Sequence, residues 1–200
     1  MLRRAVIHLK KSDPVLSVII KKVGPLRMEF GSPEFPSLAE AIVYQQLNGR
    51  AALTIFNRFA ALAGTPLTPE GILKLTAEQM RAVGLSKQKS AYLRDLAEHT
   101  TSGDLNFSRL PVLSDEEVIE HLTRVKGIGV WTAHMFLMFS LRRPNVLPVG
   151  DFGIRTAIRK QYKKRKMPSP AQMEKIAKPW QPYRTVACWY LWRSLDITTL

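Results

Sequence analysis

Helix-start signals recur along this chain at short intervals, and no convincing run of alternating strand pattern competes with them. Ser37-Leu-Ala-Glu40, Thr76-Ala-Glu-Gln79 and Ser114-Asp-Glu-Glu117 match the capping box, where a hydroxyl and a residue three positions on satisfy two amides left open at a helix start. Ser12-Asp13-Pro14 and Thr68-Pro69-Glu70 place a capping side chain before a first-turn proline. Apolar residues follow at helical spacing, as in Leu38, Ala41 and Ile42, then Leu53, Phe56, Phe59 and Ala60, then Tyr92, Leu93 and Leu96. Together these signals predict helices over about 14–23, 37–47, 49–63, 69–75, 77–83, 87–101, 115–124, 129–140, 151–162, 170–177 and 183–195. Many short helices with short connectors make a compact all-α array, not a long bundle. Segment 102–113 reads as a crossing loop, 163–170 as an exposed basic loop, and 26–30 is ambiguous.

Charge narrows the partners. Thirty Lys and Arg against sixteen Asp and Glu leave +14, which calls for a polyanion: nucleic acid first, an anionic membrane surface second. The single cysteine excludes a disulfide framework within the chain and a Cys-rich zinc or iron–sulfur site, and Cys188 reads as a small core residue. His8, His99, His121 and His134 lack metal-ligand spacing, so neither a catalytic metal nor a cofactor is expected. The N-terminus is too briefly apolar for a signal peptide, and no stretch approaches the roughly 20 apolar residues of a membrane span.

The segment Leu122 to Arg155 carries the chemistry. Gly127 and Gly129 flank Ile128, and glycines permit the tight turn between two helices while letting a phosphate approach the backbone. The next helix starts near Val130, so its open amides and positive dipole end face that phosphate. Ile128 would plug the turn into the core, and Lys126, Arg124 and Thr132 would add side-chain contacts. The whole pattern, Leu122-x-x-Val125-x-Gly-Ile-Gly-x-x-Thr132-Ala133, resembles the helix-hairpin-helix DNA-binding element, whose phosphate contacts position a protein without reading sequence. Lys87, Lys89 and Arg94 accompany a second glycine-bearing turn and are candidates for further phosphate contacts.

Downstream, Pro148-Val-Gly-Asp151-Phe-Gly-Ile-Arg places one carboxylate at a helix start. By itself Asp151 reads as an N-cap. A hairpin, an apolar helix and then this Asp together resemble the HhH-GPD glycosylase superfamily, where the Asp is catalytic. Five ordered blocks narrow the resemblance to the 3-methyladenine DNA glycosylase II (AlkA-type) branch in a compact form without its extra N-terminal domain. They are Ala41-Ile-Val-Tyr-Gln-Gln-Leu with Ala51-Ala52; Gly84-Leu-Ser-x-x-Lys89-x-x-Tyr92-Leu93; Gly127-Ile-Gly-x-Trp-Thr-Ala; Arg143-Pro-Asn-Val-Leu-Pro-Val-Gly-Asp151; and Trp180-Gln-Pro-Tyr-Arg184 before Leu191-Trp192-Arg193.

The resemblance implies a two-lobed helical fold with DNA across a cleft, one lobe mainly about 37–125 and the other the N-terminal segment plus about 126–200. It implies a monofunctional enzyme of base excision repair that flips an alkylated purine such as 3-methyladenine or 7-methylguanine and hydrolyses its N-glycosidic bond. Asp151 would be catalytic, and Trp131, Phe152 and Trp180, with Met135, would line the base pocket; Trp189 and Trp192 read as core. Related glycosylase–lyases carry a lysine where this chain has Trp131, so no lyase activity is expected. Gln46 is the favoured wedge into the DNA stack, with Leu47 and Asn48 as near alternatives. A structural monovalent ion on the carbonyls of Thr123, Val125 and Ile128 follows from the resemblance alone. The expected partner is double-stranded DNA with damaged bases, bound by a monomer in the cytoplasm (nucleoid) of a bacterium or the nucleus of a eukaryote. The alternatives are another lesion (uracil, etheno-adenine, oxidised purine) or a non-catalytic DNA-damage-binding module.

Overall fold

The structure, a computed structural model, describes residues 2–196. Among them the chain forms twelve α-helices and no strand: α1 Leu2–Ser12, α2 Pro14–Val23, α3 Phe35–Tyr44, α4 Gly49–Ala63, α5 Pro69–Leu73, α6 Ala77–Ala82, α7 Lys87–Thr101, α8 Asp115–Thr123, α9 Val130–Phe139, α10 Phe152–Gln161, α11 Pro170–Ala177 and α12 Arg184–Asp196. No helix of the described residues is long and apolar enough to cross a membrane.

The chain divides into two compact units. One is Gly31–Leu141; the other combines the chain up to Phe30 with the chain from Arg142 on. This differs from the expected division near residue 125. The α8–α9 pair packs together through Val118, Leu122, Ala133 and Leu137, so α9 stays with the helices before it.

In the Gly31–Leu141 unit, α7 is the central helix. It buries Leu93, Leu96 and Ala97 and receives α3, α5 and α6, which contribute Leu38, Ile42, Ile72 and Met80. The capping boxes at Thr76 and Ser114 form as predicted. The one at Ser37 does not: α3 already starts at Phe35, where Pro36 suits a first turn, and the Ser37 hydroxyl instead donates to the Ser32 carbonyl at 2.7 Å. α3 also ends at Tyr44, three residues before its expected end.

In the other unit α12 is buried almost all round, through Val186, Ala187, Cys188, Trp189, Tyr190 and Leu191, and packs on α2 and α10. Helix α1 was not expected. Its arginines and lysines obscure an apolar stripe whose Ala5 and Leu9 are fully buried, with α2 as the partner. Asp13 caps α2 through its Oδ1, which accepts the Val15 and Leu16 amides at 2.8 and 3.0 Å. Its Oδ2 accepts the Tyr162 hydroxyl at 2.6 Å and the Trp180 indole NH at 2.8 Å. A short-range cap thus becomes a buried node that ties α2 to residues about 150 and 167 positions away.

Candidate nucleic-acid interface and active site

The hairpin after α8 depends on one left-handed residue. Gly127 has φ +83, and a Cβ there would run into the Tyr92 ring, so the position needs both the conformation and the missing side chain. Ile128 is 4% exposed and fills the predicted plug position; its amide donates to the Val125 carbonyl at 3.1 Å to close the turn. The Gln45 side-chain amide donates to the Gly127 carbonyl at 2.8 Å. Asp95, on α7, accepts the Lys126 amide at 2.8 Å and pairs with its ammonium at 2.8 Å. The Arg124 guanidinium pairs with Glu120.

Around this anchored turn, the amides of Gly127, Gly129, Val130 and Thr132 find no acceptor among the described residues. Gly129 caps α9 with extended backbone and no side-chain hydrogen bond, and a Cβ there would meet nothing within 4 Å. The arrangement is an anion-ready helix end with room in front of it. Two substitutions should separate folding from function here. Gly127→Ala is expected to cost about 2–4 kcal/mol in denaturant unfolding, from strain and overpacking. Gly129→Asp should leave stability unchanged or slightly raised, because aspartate is a good cap in extended backbone, and should weaken binding to duplex DNA at least about tenfold by like-charge repulsion.

Beside the hairpin, in the same unit, lies a pocket of about 570 Å³ lined by Tyr44, Gln45, Gln46, Tyr92, Trp131 and Met135, among others. Trp131 is 51% exposed on the first turn of α9, whereas Thr132 is buried. Burial pushes the Tyr44 phenol up, with the Glu40 carboxylate adding to the effect. Tyr44 and Tyr92 line this pocket too; neither is a functional candidate by sequence, yet both lie one helical turn or less from residues that are. Gln46 occupies the tip of the α3–α4 turn, exposed and at φ +57; Leu47 beside it is 38% exposed. Asn48 is held back as the cap of α4, accepting the Ala51 amide at 2.9 Å, which makes it a poor wedge.

Two expected phosphate contacts are already engaged. The Lys89 ammonium donates to the Val43 carbonyl at 2.7 Å, and partial burial lowers its pKa. The Arg94 guanidinium donates to the Leu75 carbonyl. Both cations cap the ends of neighbouring helices, where carbonyls lack partners. Lys87 remains exposed on the first turn of α7.

In the other unit, Asp151 is buried and caps α10. Its Oδ1 accepts the Ile154 amide at 2.6 Å and the Trp192 indole NH at 2.9 Å. The turn before it is set by the Asp151 amide donating to the Pro148 carbonyl at 2.9 Å. Thr185 on α12 pins the incoming loop, donating its hydroxyl to the Arg143 carbonyl at 2.6 Å and accepting the Val146 amide at 3.1 Å. Gly153 leaves space for the indole: a Cβ there would lie 3.0 Å from Trp192 Cδ1 and 3.1 Å from Asp151 Oδ1. Phe152, next to the acid, is 75% exposed, an uncommon position for so large an apolar ring. The Cys188 thiol is pushed up by burial and by the negative charge of Asp151, so it stays an inert core group as expected.

Two tryptophans sit elsewhere than expected. Trp180 was expected at the base pocket, but it is wholly buried, with its NH committed to Asp13 and its ring tilted against Tyr162. Trp192 was read as core, yet it supplies the indole that touches Asp151. Helical spacing could have flagged it only with knowledge of what α12 packs against.

Asp95 carries a pH prediction. Burial works to raise its pKa, but hydrogen bonds and charge from Lys126, helped by His99, outweigh it and hold the carboxyl below its usual range. A carboxylate depressed in the folded state contributes stability above its unfolded pKa of about 4 and loses it as pH falls through the lower folded value. The stability difference between wild type and Asp95→Asn should therefore be fully present at about pH 5 and shrink as pH falls below about 4. A difference that grows below about pH 4 would contradict this.

Comparison with known proteins bears on both units. Residues 39–182 match the HhH-GPD family, described as HhH-GPD superfamily base excision DNA repair protein. The chain is 40% identical to DNA-3-methyladenine glycosylase 1 of Schizosaccharomyces pombe, over 96% of this chain and 87% of that one. It superposes with TM-score 0.84 and 39% identity on a solved S. pombe 3-methyladenine DNA glycosylase in complex with abasic DNA, covering 97% of each chain. A DNA-3-methyladenine glycosidase from Bacillus halodurans superposes with TM-score 0.87 and 38% identity, covering 97% of this chain and 90% of the other.

Proposed function

The chain belongs to the HhH-GPD superfamily of base excision DNA repair proteins, and from that membership we propose that it is a DNA-3-methyladenine glycosylase, hydrolysing the N-glycosidic bond of alkylated purines in duplex DNA. The observation that carries the catalytic reading is Asp151, a buried carboxylate fixed by the Ile154 amide and the Trp192 indole beside an exposed Phe152.

As the bond from C1′ to the base breaks, its electron pair leaves with the base nitrogen and positive charge builds on the sugar. The Asp151 carboxylate stabilises that charge and takes a proton from the water whose oxygen bonds to C1′. A ring-alkylated purine is already cationic and departs neutral, so no strong acid is needed. In the Gly31–Leu141 unit the faces of Trp131 and Tyr44 suit such a cationic ring through stacking and cation–π attraction, and in the other unit the exposed Phe152 ring offers the same kind of face. Trp131 also stands where a lyase would need lysine, so water is the nucleophile and no Schiff base forms.

The open amides of Gly127, Gly129, Val130 and Thr132 hold a DNA phosphate. Gln46, projecting from a strained tip, is the wedge, with Leu47 as its neighbour. The carbonyls of Thr123, Val125 and Ile128 fit a monovalent cation by donor type, though Val125 already accepts the Ile128 amide; such an ion would brace the turn. The protein acts as a monomer, on the nucleoid of a bacterium or in the nucleus of a eukaryote.

Release of 3-methyladenine and 7-methylguanine from alkylated duplex DNA tests the reading. A parallel panel of single-lesion duplexes carrying uracil, etheno-adenine or 8-oxoguanine identifies the substrate if neither methylpurine is released. No release from any duplex that the protein nonetheless binds would leave a damage-binding module.

A further inference from the structure

The carboxylate of Asp95 is almost fully buried on a helix whose neighbouring residues Leu93, Leu96 and Ala97 build the core. A buried carboxylate there costs desolvation that an apolar residue would avoid. Its two oxygens converge on one residue outside α7: Oδ2 takes the Lys126 amide at 2.8 Å and Oδ1 takes the Lys126 ammonium at 2.8 Å. Behind it, His99 Nε2 lies 3.7 Å from Asp95 Oδ2, and His99 Nδ1 lies 3.7 Å from Asp104.

We propose that Asp95 is a positioning residue for DNA binding: it clamps Lys126 at both ends, so that the hairpin holds phosphate through its backbone amides and not through the lysine charge. This rests on the reading of the hairpin as a phosphate grip. The clamp acts one residue before Gly127, whose left-handed turn directs the open amides, and Gln45 fixes the Gly127 carbonyl from the other side. A hairpin held at the two peptides that flank the Lys126–Gly127 peptide presents its amides in one geometry and loses little freedom when phosphate arrives. The same pairing cancels the charge of Lys126 at the place where a phosphate would otherwise draw the ammonium toward itself.

Four variants test this: Asp95→Ala, Asp95→Asn, Lys126→Ala and the Asp95→Asn/Lys126→Ala pair. Each is measured for affinity to undamaged and abasic duplexes against salt, for kcat and KM on alkylated duplex, and for Tm. Asp95→Ala removes both clamps: the lost amide acceptor is expected to raise Kd and KM about tenfold at physiological salt, the equivalent of one charge-assisted hydrogen bond, with kcat within about twofold of wild type and the salt slope steepened by the freed ammonium as in Asp95→Asn. Asp95→Asn keeps an acceptor for the Lys126 amide and frees the ammonium. It should bind as well as wild type or better, with a log Kd–log salt slope steeper by about 1. Lys126→Ala in the wild-type background should leave the slope unchanged, and in the Asn background should return it to the wild-type value. A Tm loss in Asp95→Ala with wild-type Kd at temperatures where it is folded would reduce Asp95 to a structural residue and overturn the proposal. So would a slope flattened by about 1 in Lys126→Ala alone. If Gly129→Asp also leaves DNA affinity intact, the phosphate-grip reading itself has failed; if it abolishes affinity while Asp95→Ala does not, only the clamp has.

Discussion

Asp151→Asn is expected to lower methylpurine release from alkylated duplex DNA by about 10²–10⁴-fold, the range for losing a positioned acid–base or charge-stabilising group. The substitution suits the question because it separates the observed cap from the proposed chemistry. Asparagine is as good an N-cap as aspartate, and its side-chain oxygen can still accept the Ile154 amide and the Trp192 indole. The helix start and the indole contact should survive, so Tm and DNA affinity should stay near wild type. What disappears is the negative charge. Release at the wild-type rate would remove Asp151 from the reaction and leave it a helix cap. A collapse of Tm along with activity would show that the carboxylate matters to folding more than its cap geometry implies.

The largest expected loss of stability comes from a residue with no part in the proposed chemistry. Asp13→Ala should cost about 3–5 kcal/mol, because four donors lose their acceptor and two of them, the Trp180 NH and the Tyr162 hydroxyl, come from distant parts of the chain. For a chain of this size that corresponds to a fall of about 6–20 °C in Tm. Tyr162→Phe removes one donor and leaves the carboxylate with its other three, so it should cost only about 1 kcal/mol. The order of the two, followed by thermal unfolding, is the test. Equal losses would mean that the node is a helix cap with incidental neighbours. Burial and the bond to Asp13 raise the Tyr162 phenol far above its ordinary range, so this hydroxyl stays a donor at any pH where the protein folds.

These two aspartates also mark what could be read from sequence. Each is followed within three residues by the start of a helix, and that local part of its role was legible: Asp13 before Pro14, Asp151 before Phe152. The long-range part was not. Nothing around Asp13 in the chain announces Tyr162 or Trp180, and nothing around Asp151 announces Trp192. For the same reason the places of the tryptophans were not legible, since an indole buried on Asp13 and an indole bonded to Asp151 have similar apolar sequence surroundings. The hairpin was legible because glycine spacing dictates backbone conformation directly. Lys89 and Arg94 were not, because a cation bound to a helix-end carbonyl and a cation waiting for phosphate look alike until the neighbouring helix is in place. α1 was missed because a helix so rich in basic residues buries its stripe only once α2 exists to receive it.

The 2.8 Å bond from the Gln45 side chain to the Gly127 carbonyl has a mechanical meaning. Gln45 is the residue next to Gln46, so the tip proposed to probe the base stack and the turn proposed to hold the backbone are fastened to each other by one strut. A protein travelling along a duplex would carry both as a single tool. Resistance met at the tip would reach the grip through one amide, and each step onto a new phosphate would re-aim the probe.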